Sequence, residues 1–162
     1  WDIDKVKVMA QQNDAKAQLA LGMLYANGEG VVQDHVQAVK WFKLAADQGY
    51  AGAQYNLGIA YAVGVGVAKD EAEAVKWFRL AADQGHAEAQ YNLGVAYAVG
   101  VEVTKDEAEA VKWFRLAADQ GIAEAQYNLG VAYTDGLGVV KDEAEAGKWF
   151  RLAADQGIVG DK

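Results

Sequence analysis

The fold is decided by residues 86–121, which read HAEAQYNLGVAYAVGVEVTKDEAEAVKWFRLAADQG. Residues 50–85 match this stretch at 31 of 36 positions. The tryptophans keep the same spacing, at Trp41, Trp77, Trp113 and Trp149. Self-similarity at one fixed period of this length is typical of proteins in which each repeat is one supersecondary unit. The sequence therefore predicts an array of stacked repeats.

Four copies of the pattern can be written in register, with partial copies at both ends. The predicted repeats are 14–49, 50–85, 86–121 and 122–157, preceded by 1–13 and followed by 158–162. The first thirteen residues align with the second half of a copy, so they are expected to end an earlier repeat. The chain begins at Trp1 without a methionine, which is expected of a processed protein or of an excised fragment. The truncated first copy favours a fragment of a longer array, and residues 1–162 are expected to form one solenoid domain.

Each copy contains two helical patterns. In the third copy, apolar residues recur at helical spacing from Ala87 to about Ala98 and again from Asp106 to about Asp119. The second pattern begins with an aspartate followed three residues later by a glutamate, the signature of a reciprocal capping box, and it stops at a glycine. The pattern predicts an all-α fold, a right-handed α-solenoid of antiparallel helix-turn-helix repeats with a 36-residue period.

The large aromatic side chains are expected in the core. Trp77 and Phe78 should fill space between hairpins, and Gly58 and its equivalents should let two helices approach closely. A tryptophan ladder that binds a ligand is the alternative interpretation.

Two substitutions interrupt the repeat. The loop between the helices reads Gly-x-Gly-Val in three copies, but Glu102 replaces the second glycine in the third copy. If that position needs a positive φ, the loop carries about 1 kcal/mol of strain or adopts another turn. Gly147 replaces the valine of the other copies, which should weaken the last repeat by up to about 1 kcal/mol.

Composition and charge exclude several kinds of partner. The chain has 23 acidic and 15 basic side chains, a formal net charge of -8, and no run of lysine or arginine, so nucleic acid is not expected to bind. No apolar run approaches the roughly 20 residues needed to span a bilayer, so no membrane insertion is expected. The absence of cysteine removes disulfides and thiolate metal sites.

The residues needed for catalysis are scarce. The chain has no Ser, no Cys and only two His, so no activated nucleophile beside a base can be assembled. His35 and His86 occupy different places in their repeats, which argues against a shared metal. We therefore expect no catalytic residues, no metal site, no cofactor and no enzyme activity.

The string Ala-Glu-Ala-Gln-Tyr-Asn-Leu-Gly-Val-Ala-Tyr at 87–97, followed by Val-Lys-Trp-Phe-Arg-Leu-Ala-Ala-Asp-Gln-Gly at 111–121, resembles the Sel1-like repeat family. This family belongs to the tetratricopeptide-like superfamily of helical repeats, and the resemblance covers nearly the whole chain. The chain departs from the family in lacking the proline often found in the inter-helix loop. The resemblance implies a protein–protein interaction scaffold that binds a protein or peptide on a concave face lined by the first helix of each hairpin.

The resemblance also implies which residues face the partner. The predicted partner-binding residues are Tyr55, Asn56, Ile59, Glu88, Tyr91, Asn92, Val95, Glu124, Tyr127, Asn128 and Val131. Alternatively, the tyrosines pack between neighbouring first helices and the asparagines satisfy loops or carbonyls. The acidic residues have an alternative role as complements of the dipole at a helix N-terminus.

Other functions and assemblies stay open at this point. Near-identical repeats also fit a structural spacer or an idealised repeat array with no specific ligand. Analogy with cysteine-rich relatives adds the binding of cell-wall-derived or β-lactam-like compounds, and favours a bacterial periplasmic or secreted setting. Exposure of Ile3, Val6, Met9 and Ile158 would let molecules associate head to tail.

Overall fold

Helices account for the regular structure of residues 2–158, the part of the chain that the computed structural model describes. They are α1 (Ile3–Gln11), α2 (Ala15–Asn27), α3 (His35–Asp47), α4 (Ala51–Val63), α5 (Glu71–Asp83), α6 (Ala87–Val99), α7 (Glu107–Asp119), α8 (Ala123–Asp135) and α9 (Glu143–Asp155). These described residues contain no strand. The all-α prediction and the 36-residue period are confirmed, since the pair α2 and α3 recurs three times along the chain.

Two compact units divide the chain, unit 1 at Trp1–Gln84 and unit 2 at Gly85–Lys162. Unit 1 contains α1 to α5, and unit 2 contains α6 to α9. Within each unit the two helices of a hairpin pack together, and the second helix of the first hairpin packs on the first helix of the next. Each unit is therefore a pair of stacked helical hairpins, with α1 added against α2 in unit 1.

The cores of the two units are built from in-register residues. The core of unit 1 includes Phe42, Ala45, Leu57 and Trp77. Two periods later, the core of unit 2 includes Phe114, Ala117, Leu129 and Trp149. The assignment of the tryptophans to the core is confirmed, because three of the four are buried and Trp41 is half-buried.

One glycine in each hairpin lies where the two helices approach closely. A Cβ at Gly58 would lie 2.7 Å from Cε1 of Phe78 and 3.3 Å from the carbonyl oxygen of Ala74. At Gly130 the same atom would lie 2.5 Å from Cε1 of Phe150. Close-packed interiors do not accommodate such approaches without movement. The predicted close approach is confirmed.

The second helix of each hairpin begins with an aspartate cap, but the predicted capping box is wrong in its reciprocal half. The Asp70 carboxylate accepts the N–H of Glu73 at 3.1 Å, as expected. The N–H of Asp70, however, donates to the carbonyl of Tyr61. The Glu73 carboxylate instead accepts from Nε1 of Trp77 at 3.1 Å. A carbonyl of the preceding helix therefore satisfies the donor that the box would have paired.

The loop of the third repeat keeps the geometry of the glycine loops. Gly66 and Gly138 have φ values of 78° and 73°, and Glu102 adopts a φ of 57° in the same position. A side chain in this left-handed region costs about 1 kcal/mol. The third repeat therefore carries the strain rather than adopting another turn.

The first helix differs from the prediction in one respect. α1 is the helix expected at this end, but Val6 is only 2% exposed and packs with Ala10, Ala17 and Leu21. The prediction that Val6 is exposed for head-to-tail association is wrong, because α2 covers this side chain. Met9 is 46% exposed. Residues 159–162 of the predicted terminal segment lie outside the described residues.

Candidate protein-binding grooves

Unit 2 contains an open groove, termed groove 2, with a volume of about 360 Å³. Its lining residues are Tyr91, Val95, Ala98 and Val99 from α6, Glu107, Ala110, Val111 and Phe114 from α7, Asn128, Val131 and Ala132 from α8, and Leu137 from the loop that follows. One complete hairpin and the first helix of the next are therefore needed to form it.

The apolar surface of groove 2 follows from the sizes of the side chains around it. Phe114 is held against Tyr91, with ring centroids 5.9 Å apart, and the missing side chain of Gly94 leaves room for its ring. At the rim, Val99 and Leu137 remain 64% and 39% exposed. An apolar cleft with a few placed polar groups is typical of a binding site.

Three polar side chains, Tyr91, Glu107 and Asn128, are part of the lining of groove 2. Burial raises the pKa of the Tyr91 hydroxyl above its ordinary value of 10.0; a hydrogen bond from Asn128 opposes this shift and the negative charge of Glu124 adds to it. Tyr91 is therefore neutral at physiological pH. Glu107, at the start of α7, is the charged residue of the lining. Its Oε1 lies 3.6 Å from Nζ of Lys105.

Unit 1 contains a counterpart, termed groove 1, which also has a volume of about 360 Å³. Its lining residues are Met23, Ala26, Asn27, His35, Ala38, Val39, Phe42, Asn56, Ile59, Ala60, Val63 and Val65. Apart from Val63, each has its in-register counterpart in the lining of groove 2. The chemistry differs at single positions, for example where His35 replaces Glu107.

Six of the predicted partner-binding residues line the grooves. Asn56 and Ile59 line groove 1, and Tyr91, Val95, Asn128 and Val131 line groove 2. Within each unit these residues lie beside the second helix of a hairpin, so in each unit part of the predicted face adjoins an apolar cleft.

The other five predicted residues, Tyr55, Glu88, Asn92, Glu124 and Tyr127, are not among the lining residues of either groove. Tyr55 packs on Phe78 and Tyr127 on Phe150, with ring centroids 6.0 Å and 5.5 Å apart. Each tyrosine thus contacts the second helix of its own hairpin. Glu88 and Glu124 are exposed in the first turns of α6 and α8, where their charge complements the helix dipole.

Sequence reasoning did not include the groove residues of the second helices and the loops. Val111 and Phe114 belong to the hydrophobic core of unit 2, yet they also line groove 2. A signal existed in the loop, where Val65 and Leu137 occupy the same position and are both large and apolar. A fully solvated loop would be expected to carry a polar residue there.

Buried glutamines are a second feature that sequence reasoning missed. Gln54 is 4% exposed; its Nε2 donates to the carbonyl of Ala46 at 3.3 Å, and its Oε1 accepts from Nε2 of Gln84 at 2.8 Å. In unit 2, Gln126 bonds in the same way to Ala118 and Gln156. Because a buried amide must be paired, these bonds fix the first helices that line the grooves.

The histidines have separate roles, and no metal cluster is found in the described part of the chain. Nδ1 of His86 caps α6 by accepting the N–H of Ala89 at 3.2 Å, whereas His35 lines groove 1. Across residues 2–158, no three His, Cys, Asp or Glu side chains are grouped so that they could hold a metal ion. Every helix in this range is too short or too polar to span a bilayer.

Comparison with known families identifies the repeat. The family model described as Sel1 repeat matches residues 15–50, 51–86, 87–122 and 123–158. This chain is a Sel1 repeat protein. Sel1 repeat proteins are generally non-catalytic scaffolds for protein interactions. Each match begins one residue after the predicted start of its repeat. The organisation of the chain as a single domain stays a prediction.

Solved bacterial structures share this Sel1 fold. A protective antigen of uropathogenic Escherichia coli strains that displays an SLR fold matches with a TM-score of 0.93 and 46% identity over 98% of this chain. A Sel1 repeat protein from Oxalobacter formigenes gives a TM-score of 0.84 and 39% identity over 91%. The present chain spans only 34% and 60% of these two proteins.

A more distant structure, Helicobacter pylori cysteine rich protein B, is 23% identical with a TM-score of 0.59, covers 77% of this Sel1 chain and 95% of its own, and shows the fold alone. Among curated proteins, none matches the chain.

Proposed function

We propose that this Sel1 repeat protein binds a segment of a partner protein on the faces formed by its first helices, with apolar side chains of the partner seated in groove 1 and groove 2. The observation that carries the proposal is the occurrence of one groove in both units, at in-register positions and with a volume of about 360 Å³ each. Clefts of this size accept one or a few large apolar side chains.

Exposed apolar side chains at the grooves support the proposal. Val63 at groove 1 is 60% exposed and Val99 at groove 2 is 64% exposed, although both belong to well-formed helices. Apolar surface that gathers around a cleft marks an interaction site. Asn56 and Asn128 add amide groups that can bond to a peptide backbone, since one amide offers two donors and an acceptor. The predicted residues outside the lining would surround the bound segment.

The proposal also holds that the chain is not an enzyme, because it has neither Ser nor Cys and its two His have a capping role and a groove position. A bacterial setting is part of the proposal and rests on the bacterial origin of the solved relatives, and the periplasmic or secreted location stays a prediction. Head-to-tail self-association and the binding of cell-wall-derived compounds stay predictions.

A peptide phage library panned on the full chain tests the proposed function. The variant Val99→Asp/Leu137→Asp places charges on the apolar rim of groove 2, and Val63→Asp/Val65→Asp does so in groove 1. Each should weaken the peptides that use its groove by about tenfold or more, because an unpaired carboxylate replaces a buried apolar contact. Fluorescence anisotropy with the selected peptides gives the affinities.

A matched control distinguishes the grooves from apolar surface in general. Val32→Asp/Val140→Asp changes two valines that are 88% and 87% exposed and line neither groove. This variant should bind as the unaltered chain does, and circular dichroism should show equal helix content for all variants. Selection of no peptide would favour the structural spacer, and peptides that bind both groove variants with full affinity would exclude the grooves.

A further inference from the structure

Groove 1 and groove 2 share their apolar lining but differ in charge at the same register. Glu107, Glu124 and Asp135 of unit 2 stand where unit 1 has His35, Gly52 and Val63. The difference extends to the whole units: unit 2 has thirteen acidic and seven basic side chains, whereas unit 1 has ten and eight. The acidic excess of the chain therefore lies mainly in the unit that contains groove 2.

Two of these carboxylates adjoin groove 2 from different helices. Glu107 lines it from the first turn of α7, with its side chain 33% exposed. Glu124 lies one turn before the lining residue Asn128 on α8, and its charge acts on Tyr91, which is also a lining residue. Negatively charged side chains on both α7 and α8 therefore lie beside groove 2.

Little positive charge within unit 2 offsets these two carboxylates. The ion pair of Glu107 with Lys105 is 3.6 Å long, and the lysine is 61% exposed, so solvent screens the pair. Among residues 85–158, no ion pair involves Glu124. Both carboxylates are available to a cation supplied from outside.

We propose that groove 2 recognises a partner segment that carries lysine or arginine beside its apolar anchor, whereas groove 1 accepts an uncharged apolar anchor. This inference rests on the proposed function, in which the grooves seat partner side chains. The aliphatic stems of lysine and arginine lie along apolar surface while their charged ends reach outward, which suits an apolar cleft with acidic edges. Complementary charge of this kind sets which partner is chosen more than how tightly it binds.

Three labelled peptides test the inference on the full chain. They share one leucine-containing core and carry lysine, glutamine or glutamate on both sides of it, and fluorescence anisotropy measures their binding. The lysine peptide should bind about fivefold more tightly than the glutamine peptide, and the glutamate peptide more weakly than both. The advantage of lysine should shrink as salt is added, because the Debye length shortens.

Variants assign the preference to the two carboxylates. Glu107→Gln/Glu124→Gln should remove the lysine advantage, so that the lysine and glutamine peptides bind this variant with equal affinity. Glu143→Gln/Glu145→Gln removes the same amount of charge from α9, away from the lining of groove 2, and should keep the advantage. His35→Glu/Gly52→Glu should create a second lysine-preferring groove in unit 1. A Cβ at Gly52 would lie 3.1 Å from Cδ2 of Leu19, the end of a flexible side chain, and 3.6 Å from Cε2 of Tyr50.

The possible failures are distinguishable. Equal binding of the lysine and glutamine peptides, with both weakened in Val99→Asp/Leu137→Asp, would overturn the charge preference and leave the proposed function standing. A lysine advantage that survives Glu107→Gln/Glu124→Gln would overturn it too. If no leucine peptide binds and the phage library yields none, the proposed function fails together with the inference.

Discussion

Unit 1 and unit 2 share helices, core and groove, yet they differ in the side chains at helix starts, loops and groove rims. Phe42 and Phe114 occupy the same place in the two grooves. By contrast, Asp14 caps α2 where His86 caps α6. Close packing makes the shared positions intolerant of change, whereas caps, loops and rims contact solvent and tolerate it. Comparison of the units therefore separates the residues that maintain the shared helices and core, termed the frame, from the residues that vary at caps, loops and groove rims.

The largest expected effect concerns the frame. Gly58→Val in unit 1 and Gly130→Val in unit 2 should each lower the free energy of unfolding by about 3 kcal/mol, because the new side chains collide with Phe78 and Phe150. Urea denaturation followed by circular dichroism measures this. Gly147→Val is the control, since a Cβ there meets nothing within 4 Å, and it should raise stability by a few tenths of a kcal/mol. A clear loss in only one unit would break the equivalence of the two frames.

The buried glutamines give the next effect. Gln54→Ala and Gln126→Ala should each cost about 2 kcal/mol, because each removes two hydrogen bonds of a buried amide, one to a backbone carbonyl and one from the partner glutamine. Thermal unfolding with matched urea titrations measures the loss. Gln33→Ala, which removes an exposed bond to the carbonyl of Ala26, should cost clearly less. Equal losses for all three variants would show that burial of the amide is unimportant.

A smaller effect is expected at the loop where the units differ. Glu102→Gly should raise the free energy of unfolding by up to about 1 kcal/mol by relieving the left-handed side chain. The converse change in unit 1, Gly30→Glu, should lower it by at least as much, since a Cβ there would lie 3.1 Å from Cδ1 of Ile3. Glu102→Gln keeps the strained backbone and should leave stability unchanged. If Glu102→Gly is neutral, the φ of this residue carries no cost.

The smallest expected effect is a dependence of stability on pH that arises at His86, the cap of α6. The matching cap in unit 1 is Asp14. Burial lowers the pKa of His86 below 6.5, while the charge of Glu88 opposes the shift. Because the folded pKa is below the unfolded one, the contribution of His86 to stability is complete above pH 6.5 and is lost as the pH falls through the folded pKa. Protonation also removes the acceptor that Nδ1 offers to Ala89.

Urea denaturation above and below pH 6.5 tests this dependence. His86→Ile, which installs the residue of the next repeat at Ile122, should remove the part of the acid sensitivity that belongs to His86. His86→Asp installs the cap of unit 1 and should keep α6 capped below pH 6.5. An unchanged pH profile in both variants would show that the cap does not titrate in this range.

Much of the frame was predictable because a fixed period shows the same physical constraint several times. The first helical pattern was expected from Ala87 to about Ala98 and extends to Val99, and the second begins one residue after its predicted cap, Asp106. The reciprocal capping bond was not predictable, because the competing acceptor, the carbonyl of Tyr61, belongs to another helix. Local spacing says nothing about such tertiary competition.

The grooves were only partly predictable, for a related reason. Tyr55, Tyr91 and Tyr127 occupy the same register, yet only Tyr91 lines one of the two grooves. Spacing on one helix fixes which way a side chain faces, but its neighbours come from other elements. Gln54 was missed because hydrophobic periodicity counts an amide as surface, although its position beside Ala53 and Leu57 places it on the buried stripe.

The pairing of Gln84 with Gln54 joins residues 30 apart, and Gln156 pairs with Gln126 at the same separation. A duplication of any 36 consecutive residues would give every buried glutamine a pairing partner at the correct position. An insertion of another length would leave a buried amide without its partner. A gene of this kind can therefore lengthen or shorten by whole periods through unequal recombination, with every intermediate product already able to close its internal bonds. Repeat number then becomes a heritable quantity that selection can vary in single steps.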